Sequence, residues 1–221
     1  INYTNTCITY CKFCAFYRPP GHAEEYTLSK EVLAQKIRET QEAGGVQVLL
    51  QGGHHPYLKL EWYEDLLRFM KSFGIHVHGF SSSEIQNLKT ISRLPLRTIL
   101  ERLRAAGLDS IPGGGAEILV DRVREAISPL KIKTAEWLEV MEEAHAMGMK
   151  TTCTMMYGHV ETYADRVEHL RVLREQQDRA LARCNGGGYT AFICWSLQGK
   201  NTELEHLPPT GGHDYLRTLA V

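Results

Sequence analysis

The chain of 221 residues has a formal net charge of −1, and 43% of its residues are hydrophobic and 23% charged, as expected of a soluble globular protein. No apolar run reaches the roughly 18 residues that a membrane span needs, and no basic patch or secretory signal pattern is present. The composition therefore argues against a membrane protein and against a nucleic-acid-binding protein.

Strands and helices alternate along the chain, as expected of a parallel sheet with crossover helices. Short apolar runs indicate strands, and apolar residues spaced three or four apart indicate helices. Ser29, Asp121 and Thr134 are the expected helix caps. The predicted strands cover residues 1–4, 46–50, 75–80, 108–111, 150–157 and 189–195. The predicted helices cover residues 29–43, 61–73, 96–106, 134–147 and 162–177, with a short one after Asp121.

Six strand–helix units without a long linker predict an α/β fold, in which a parallel sheet curls into a TIM-like (β/α) barrel. A complete eight-stranded barrel typically needs about 250 residues, so we expect a barrel truncated to six units. The chain begins with Ile1 rather than Met, and residues 214–221 read as an interrupted helix. Residues 1–221 are therefore expected to be a single core domain, a fragment that lacks N- and C-terminal parts of a longer protein.

Polar and glycine-rich segments follow every predicted strand. In barrels of this kind the chemistry lies on the loops at the carboxyl ends of the strands, so one extended polar site is expected at one rim. Glu84, in one of these segments, is interpreted as a negative charge at a helix N-terminus. The segments cover residues 7–14, 51–56, 81–84, 112–117, 158–162 and 196–203.

Three of the six cysteines, Cys7, Cys11 and Cys14, lie on the first of these loops in a C-x3-C-x2-C spacing that suits one metal centre. A zinc site needs four ligands, and His22 is the candidate fourth ligand for that alternative. An iron–sulfur cube usually takes four cysteines, so three would leave one iron open to a cofactor or substrate. The later cysteines stand apart, which argues against a disulfide framework and favours the reducing cytoplasm.

The segment "CITYCKFC", from Cys7 to Cys14, resembles the cysteine loop of the radical S-adenosylmethionine (SAM) enzymes, including the aromatic Phe13 before the third cysteine. The resemblance implies a 4Fe–4S cluster on Cys7, Cys11 and Cys14, whose open iron chelates the amino and carboxylate groups of SAM. It also implies that the reduced cluster passes an electron to SAM, giving methionine and a 5′-deoxyadenosyl radical.

Other segments resemble the same family. Gly52 and Gly53 resemble its glycine motif, where backbone groups meet the methionine amino group, and they also suit a tight turn. Glu117 is placed like the carboxylate that contacts SAM, or is an acid on a solvated loop. Arg122 or Arg124 is the expected partner of the SAM carboxylate, unless both are surface charges. The cofactor residues implied by the resemblance are Phe13, Gly52, Gly53, Glu117, Arg122, His159 and Glu161, the last two from the segment "GHVE".

The segments "LLQGGHHP", "AGLDSIPGGGAEIL" and "GGYTAFICWSLQGKNTEL" resemble one branch of the family, the cyclic dehypoxanthinyl futalosine synthases of menaquinone biosynthesis. Aminofutalosine synthases and FO synthases are related alternatives, and a metal-stapled structural domain is the non-enzymatic one. Ser82 and Ser83 stand where this branch usually has prolines, which puts the rigidity of a substrate loop in doubt.

The resemblance implies hydrogen abstraction from the ribose C4′ of dehypoxanthine futalosine, followed by addition of the sugar radical to the benzoate ring. It also implies a flavodoxin- or ferredoxin-type electron donor as a partner. His76 and His78 share one face of a strand, and they either line the site or form a hydrogen-bonded structural pair. The expected substrate-binding residues are His54, His78, Ser81, Gln198 and Asn201.

Overall fold

The computed structural model describes residues 1–220, in which a single parallel sheet is backed by helices. Its strands are β1 (Gln47–Leu50), β2 (His76–Gly79), β3 (Ser110–Ile111), β4 (Lys150–Tyr157) and β5 (Gly188–Ser196). Its helices are α1 (Lys30–Glu42), α2 (Leu60–Lys71), α3 (Ser82–Ser92), α4 (Leu96–Ala106), α5 (Asp121–Ile127), α6 (Thr134–Ala146), α7 (Tyr163–Ala182) and α8 (Gly212–Leu219).

The strands lie in the order β1-β2-β3-β4-β5, and every neighbouring pair is parallel. Helices connect the successive strands, so each crossover returns the chain to the same end of the sheet. The carboxyl ends of all five strands, and the loops that follow them, therefore meet at one rim. The prediction of an α/β fold of the TIM-like barrel type, truncated from a fuller barrel, is confirmed.

The first predicted strand, residues 1–4, is the main difference from the expected sheet. Asn2 forms an isolated parallel bridge with Gln51, and the N–H of Tyr3 donates to the Gln51 carbonyl at 3.1 Å. The segment therefore extends the sheet beside the end of β1 without forming a strand of its own. It pairs so briefly with β1 because Thr4 and Thr6 bridge instead to Thr27 and Arg18. The expected six strands are consequently five.

Helix α3 was not among the predicted helix ranges, because residues 81–84 read as a polar loop, although Glu84 was placed at a helix N-terminus. A capping box begins it: the Glu84 N–H donates to the Ser81 hydroxyl at 3.3 Å, and the Glu84 carboxylate accepts the Ser81 N–H at 2.8 Å. Ile85 and Leu88 anchor the helix in the core. Glu84 does lie in the first turn of the helix, as interpreted, but its buried carboxylate also accepts hydrogen bonds from Tyr3 and Gly52.

Two predicted caps are displaced by one residue. Ser29 does cap α1, accepting the N–H of Val32. Thr134 is instead the first residue of α6, and Asp121 is the first residue of α5. The Asp121 carboxylate accepts the N–H of Thr134 at 2.8 Å, so it joins the starts of these two helices.

The largest apolar cluster fills the space between the sheet and helices α1, α2, α4 and α6. Leu50, Leu67, Leu100 and Trp137 are fully buried there, and each such side chain contributes roughly 1.5–3 kcal/mol by leaving water. This packing holds the strand ends, and hence the loops of the rim, in fixed relative positions.

Strand β5 is the outer strand of the sheet within residues 1–220, and it pairs only with β4. Its side chains Phe192, Ile193 and Trp195 are 38–44% exposed, as expected of an edge strand that pairs on one side only. No helix in the described part of the chain is long and apolar enough to cross a membrane.

Candidate active site

The cysteine loop is fastened to the rim by backbone hydrogen bonds at both of its sides. The Cys7 N–H donates to the Arg18 carbonyl at 2.9 Å, and the Lys12 N–H donates to the Ile127 carbonyl at 2.9 Å. The Cys14 N–H closes a turn onto the Cys11 carbonyl. The loop is thus held by α5 on one side and by its own return segment on the other.

The three cysteines line one cavity of about 200 Å³ at the rim. The Thr9 hydroxyl lies between two of them, 3.1 Å from the Cys7 sulfur and 3.5 Å from the Cys11 sulfur. Phe13, Gly52, Gly53, His54, Ser81, Glu84, Gly115 and Lys131 are among the other lining residues. The loops after the N-terminal segment, β1, β2 and β3 therefore meet in one place.

The donor set of this cavity fits a cluster better than a single ion. Within residues 1–220, no three His, Cys, Asp or Glu side chains converge closely enough to bind one metal ion. A zinc ion needs four ligands at roughly 2.0–2.3 Å, whereas the cysteines of an iron–sulfur cube bind separate irons. His22, the candidate fourth zinc ligand, does not line the cavity, and its Nδ1 accepts the Glu24 N–H at 3.1 Å.

The glycine pair after β1 touches the cysteine loop directly. A Cβ on Gly53 would lie 2.2 Å from the Thr6 carbonyl oxygen and 2.8 Å from the Cys7 Cβ. The next residue, His54, donates its N–H to the Cys7 sulfur at 3.3 Å. Only glycine permits this approach, which allows a backbone N–H to stabilise negative charge on the sulfur.

Glu84 lies at the bottom of the cavity and uses both carboxylate oxygens. Oε1 accepts from the Tyr3 hydroxyl at 2.8 Å and from the Gly52 N–H at 3.0 Å. Oε2 accepts from the Ser81 N–H and from the Ser81 hydroxyl, both at 2.8 Å. Burial raises the pKa of Glu84, and these four donors oppose that rise.

Lys131 is the ammonium group on the wall of the cavity. Its Nζ donates to Glu117 Oε1 at 3.0 Å and lies 5.5 Å from the centre of the Phe13 ring. Burial alone lowers the pKa of Lys131, but the Glu117 carboxylate and the Cys11 thiol raise it above the ordinary value. The lysine therefore stays charged although its side chain is only 12% exposed.

Glu117 lies behind Lys131 rather than on the cavity wall. It is 5% exposed, and its backbone has a positive φ of 42°. Its Oε2 atom is buried without a hydrogen-bond partner among the described residues, with the Arg124 guanidinium 3.6 Å away. The alternative of a solvated loop acid is excluded, and the carboxylate holds Lys131 in place.

The structure separates the two arginines proposed for the SAM carboxylate from the cavity. Arg122 is 59% exposed and pairs with Asp165 at 2.5 Å. Arg124 is buried and donates to the carbonyls of Gly115, Ala116 and Ile132, so it braces the glycine loop after β3. Neither side chain lines the cavity.

His159 and Glu161 form a buried pair after β4. The Glu161 carboxylate accepts the N–H groups of Gly158 and His159, and it pairs with Arg166 at 2.8 Å. Burial lowers the pKa of His159, although Glu161 opposes this effect. The pair organises the turn after β4, and neither side chain lines the cysteine cavity.

The five expected substrate residues divide into two groups. His54 and Ser81 line the cavity, and burial together with Lys131 lowers the pKa of His54 to about 3. His78 lies away from the cavity wall, with Nδ1 2.7 Å from the Ser110 hydroxyl, which also binds His76. This arrangement favours the structural-pair alternative for the two strand histidines.

The remaining expected substrate residues, Gln198 and Asn201, lie on the exposed loop after β5. Gln198 donates its side-chain amide to Ser196, and the N–H of Asn201 donates to Glu205. Neither residue reaches the cysteine cavity in this structure. The sequence analysis in turn missed Lys131 and gave Glu84 no role in the cavity, because no local motif marks a residue that reaches the cavity only through folding.

Comparisons with known proteins identify the family to which the chain belongs. A family model described as the Radical SAM superfamily matches residues 1–173. Cyclic dehypoxanthine futalosine synthase from Halalkalibacterium halodurans is 42% identical over 223 residues, which cover 100% of this chain and 59% of that protein. FO synthase from Mycobacterium tuberculosis H37Rv is 43% identical over 206 residues, which cover 92% of this chain and 23% of that protein.

A solved structure supports the fold independently. The FeFe-hydrogenase maturase HydG from Carboxydothermus hydrogenoformans matches with a TM-score of 0.74 at 17% identity, over 100% of this chain and 49% of that one. This likeness concerns the fold alone, and the chain spans little more than half the length of the first of the curated relatives named above. Because the family model covers most of the chain, including the cysteine loop, the chain belongs to the radical SAM superfamily.

Proposed function

We propose that the chain is the core domain, residues 1–221, of an enzyme that cyclises dehypoxanthine futalosine to cyclic dehypoxanthinyl futalosine in menaquinone biosynthesis. The observation that carries this proposal is the cavity lined by Cys7, Cys11 and Cys14 together with Gly52 and Gly53. The 42% identity to a cyclic dehypoxanthine futalosine synthase supports the choice of reaction.

The three cysteines are the proposed ligands of a 4Fe–4S cluster with one open iron, the position at which SAM binds. When bound, the cluster and SAM supply the hydrogen-abstracting radical chemistry. The N–H of His54 stabilises the Cys7 thiolate, since it already lies 3.3 Å from that sulfur. The Thr9 hydroxyl can serve the thiolates of Cys7 and Cys11 in the same way.

Lys131 is the proposed partner of the SAM carboxylate, in place of Arg122. It is a charged ammonium on the cavity wall, and Glu117 and the Phe13 ring hold it there. A buried cation stabilises a carboxylate strongly because little water screens the pair. The Glu117 carboxylate neutralises part of the Lys131 charge from the side away from the cavity.

His54 is the proposed polar contact to the sugar hydroxyls of the substrate. Its low pKa keeps the imidazole neutral at physiological pH, so it can donate and accept hydrogen bonds without adding charge. Ser81 is the second polar contact on the wall, although its hydroxyl hydrogen is committed to Glu84.

The experiment begins with anaerobic reconstitution of the protein with iron and sulfide. We expect the reduced cluster to give an EPR signal that changes on addition of SAM. We then expect dehypoxanthine futalosine to be converted to a product that differs from it only by the loss of two hydrogen atoms. A flavodoxin- or ferredoxin-type protein is the proposed physiological reductant, and dithionite replaces it in the assay. Zinc uptake without cluster formation would favour the structural-domain alternative.

A second candidate reaction is that of an FO synthase half, because FO synthase matches this chain at 43% identity. The same reconstituted protein separates the two candidates. Tyrosine and a ribitylated aminouracil, which are named as the substrates of a hydroxyphenyl transferase from Methanosarcina acetivorans that is 42% identical over 195 residues, are offered in one assay. Dehypoxanthine futalosine is offered in the other, and the products are identified by mass spectrometry. A hydroxybenzyl adduct of the uracil would overturn the cyclase proposal and leave the cluster assignment intact.

Substituting Lys131 with methionine is expected to weaken SAM binding by about tenfold or more, the loss expected of one charge-assisted contact. Arg122→Met is the matched control, because it removes a cation that the structure places on the surface. Iron content is expected to stay unchanged in both variants. The measurement is SAM affinity by equilibrium dialysis. A larger loss of affinity in Arg122→Met than in Lys131→Met would show that Arg122 binds the SAM carboxylate.

A further inference from the structure

The Thr9 hydroxyl is a polar side-chain group that lies between two cysteines of the cavity. Its oxygen is 3.1 Å from the Cys7 sulfur and 3.5 Å from the Cys11 sulfur. Among residues 1–220 this hydroxyl makes no other hydrogen bond, so its hydrogen is not committed to a carbonyl or a carboxylate. Once the two sulfurs bind metal as thiolates they have no hydrogen to give, and the threonine hydroxyl is then the donor.

The backbone of the cysteine loop fixes this position of the hydroxyl. Tyr10, which follows Thr9 and precedes Cys11, has a left-handed φ of 44°, a conformation that few residues other than glycine adopt. The Tyr10 ring packs against the Tyr17 ring, with 5.6 Å between the ring centres. The chain therefore bends sharply after Thr9, and the side chains of Thr9 and Cys11 line the same cavity.

The hydroxyl and the two sulfurs are shielded from water. Thr9 and Cys11 are each 5% exposed, and Cys7 is 7% exposed. A hydrogen bond to a negative charge is stronger where little water competes for either partner. Removal of the hydroxyl without a change of shape therefore leaves both sulfurs without a donor that water does not replace.

We propose that the Thr9 hydroxyl raises the reduction potential of the cluster that Cys7, Cys11 and Cys14 hold. The inference rests on the proposed function, because it assumes that a 4Fe–4S cluster occupies this cavity. The reductant supplies one electron, and part of the added negative charge lies on the cysteine sulfurs. A donor to those sulfurs stabilises the reduced state more than the oxidised state. The higher potential allows a milder electron donor to reduce the cluster.

Three substitutions separate the hydroxyl from the shape of the side chain. Thr9→Val keeps the branched shape and removes the hydroxyl, whereas Thr9→Ser keeps the hydroxyl and removes the methyl group. Thr6→Val is the matched control, because Thr6 is buried one residue before Cys7. Its hydroxyl donates to Glu25 at 3.2 Å rather than to a sulfur.

The wild-type protein and the variants are reconstituted anaerobically, and their iron content is measured. The reduction potential of the cluster is then measured by EPR-monitored potentiometry without SAM. We expect full iron content throughout and, in Thr9→Val, a reduction equilibrium that is about three- to tenfold less favourable. For a one-electron couple this is a shift of about 30–60 mV to more negative potential. Thr9→Ser and Thr6→Val are expected to keep the wild-type potential.

A wild-type potential in Thr9→Val would overturn the inference, and so would an equal shift in Thr9→Ser or Thr6→Val. If Thr9→Val takes up no iron, Thr9→Ala is the second variant. A more negative potential is expected for it as well, and an unchanged potential would contradict the role of the hydroxyl. A wild-type protein that forms no cluster would instead overturn the proposed function.

Discussion

Replacement of Cys7 with alanine is expected to reduce the iron and sulfide content of the reconstituted protein to background and to abolish cleavage of SAM. Each thiolate holds one iron of the proposed cluster, and among residues 1–220 no fourth cysteine lines the cavity beside Cys7, Cys11 and Cys14 to replace Cys7. The measurement is iron and sulfide analysis after anaerobic reconstitution, with visible absorption of the cluster as the second readout.

Cys153→Ala is the matched control for this prediction. Cys153 is also buried, and burial raises the pKa of its thiol to about 12, so it stays protonated and unreactive. It lies on β4, away from the cysteine cavity. We expect this variant to bind iron as the wild type does. Full iron content in Cys7→Ala, or equal losses in both variants, would contradict the assignment of the cluster.

Gly53→Ala is expected to displace the cysteine loop and to destabilise the whole rim. The new methyl group would meet the Thr6 carbonyl oxygen at 2.2 Å and the Cys7 Cβ at 2.8 Å, so backbone must move. Overpacking of this kind costs about 3 kcal/mol, which corresponds to a fall of roughly 6–12 °C in Tm for a chain of this size. Thermal unfolding and retained iron are the two measurements.

The control is Gly212→Ala, at the start of α8, where an added Cβ meets no atom within 4 Å. Alanine is also a better helix former than glycine, so no loss of stability is expected. The steric account of the glycine pair would be wrong if both variants unfolded at the same temperature and kept the same iron content.

The regular parts of the fold were predictable because their signals are local. Helices α2 and α4 carry clear apolar periodicity, which depends only on side-chain spacing. Helix α3 lacks that signal, since its first turn consists of Ser82, Ser83 and Glu84, and the capping box is its main cue. The N-terminal segment looked like a strand, yet whether it pairs depends on β1, which no local pattern reports.

The candidate site divides in the same way. The three cysteines and the glycine pair were found because their spacing along the chain is itself the signal. Lys131 was missed and Arg122 preferred, although both lie near Glu117 in sequence, because the choice depends on which side chain points into the cavity. The place of Glu84 in the site could not be predicted, because it depends on contacts with Tyr3 and Gly52, which lie 81 and 32 residues away in the sequence.

All residues that line the cysteine cavity lie between Asn2 and Lys131. During synthesis, chains grow at about 5–20 residues per second, so every side chain of the cavity exists several seconds before β4 and β5 can complete the sheet. The three thiols therefore experience an interval on the ribosome in which the rim is only partly supported.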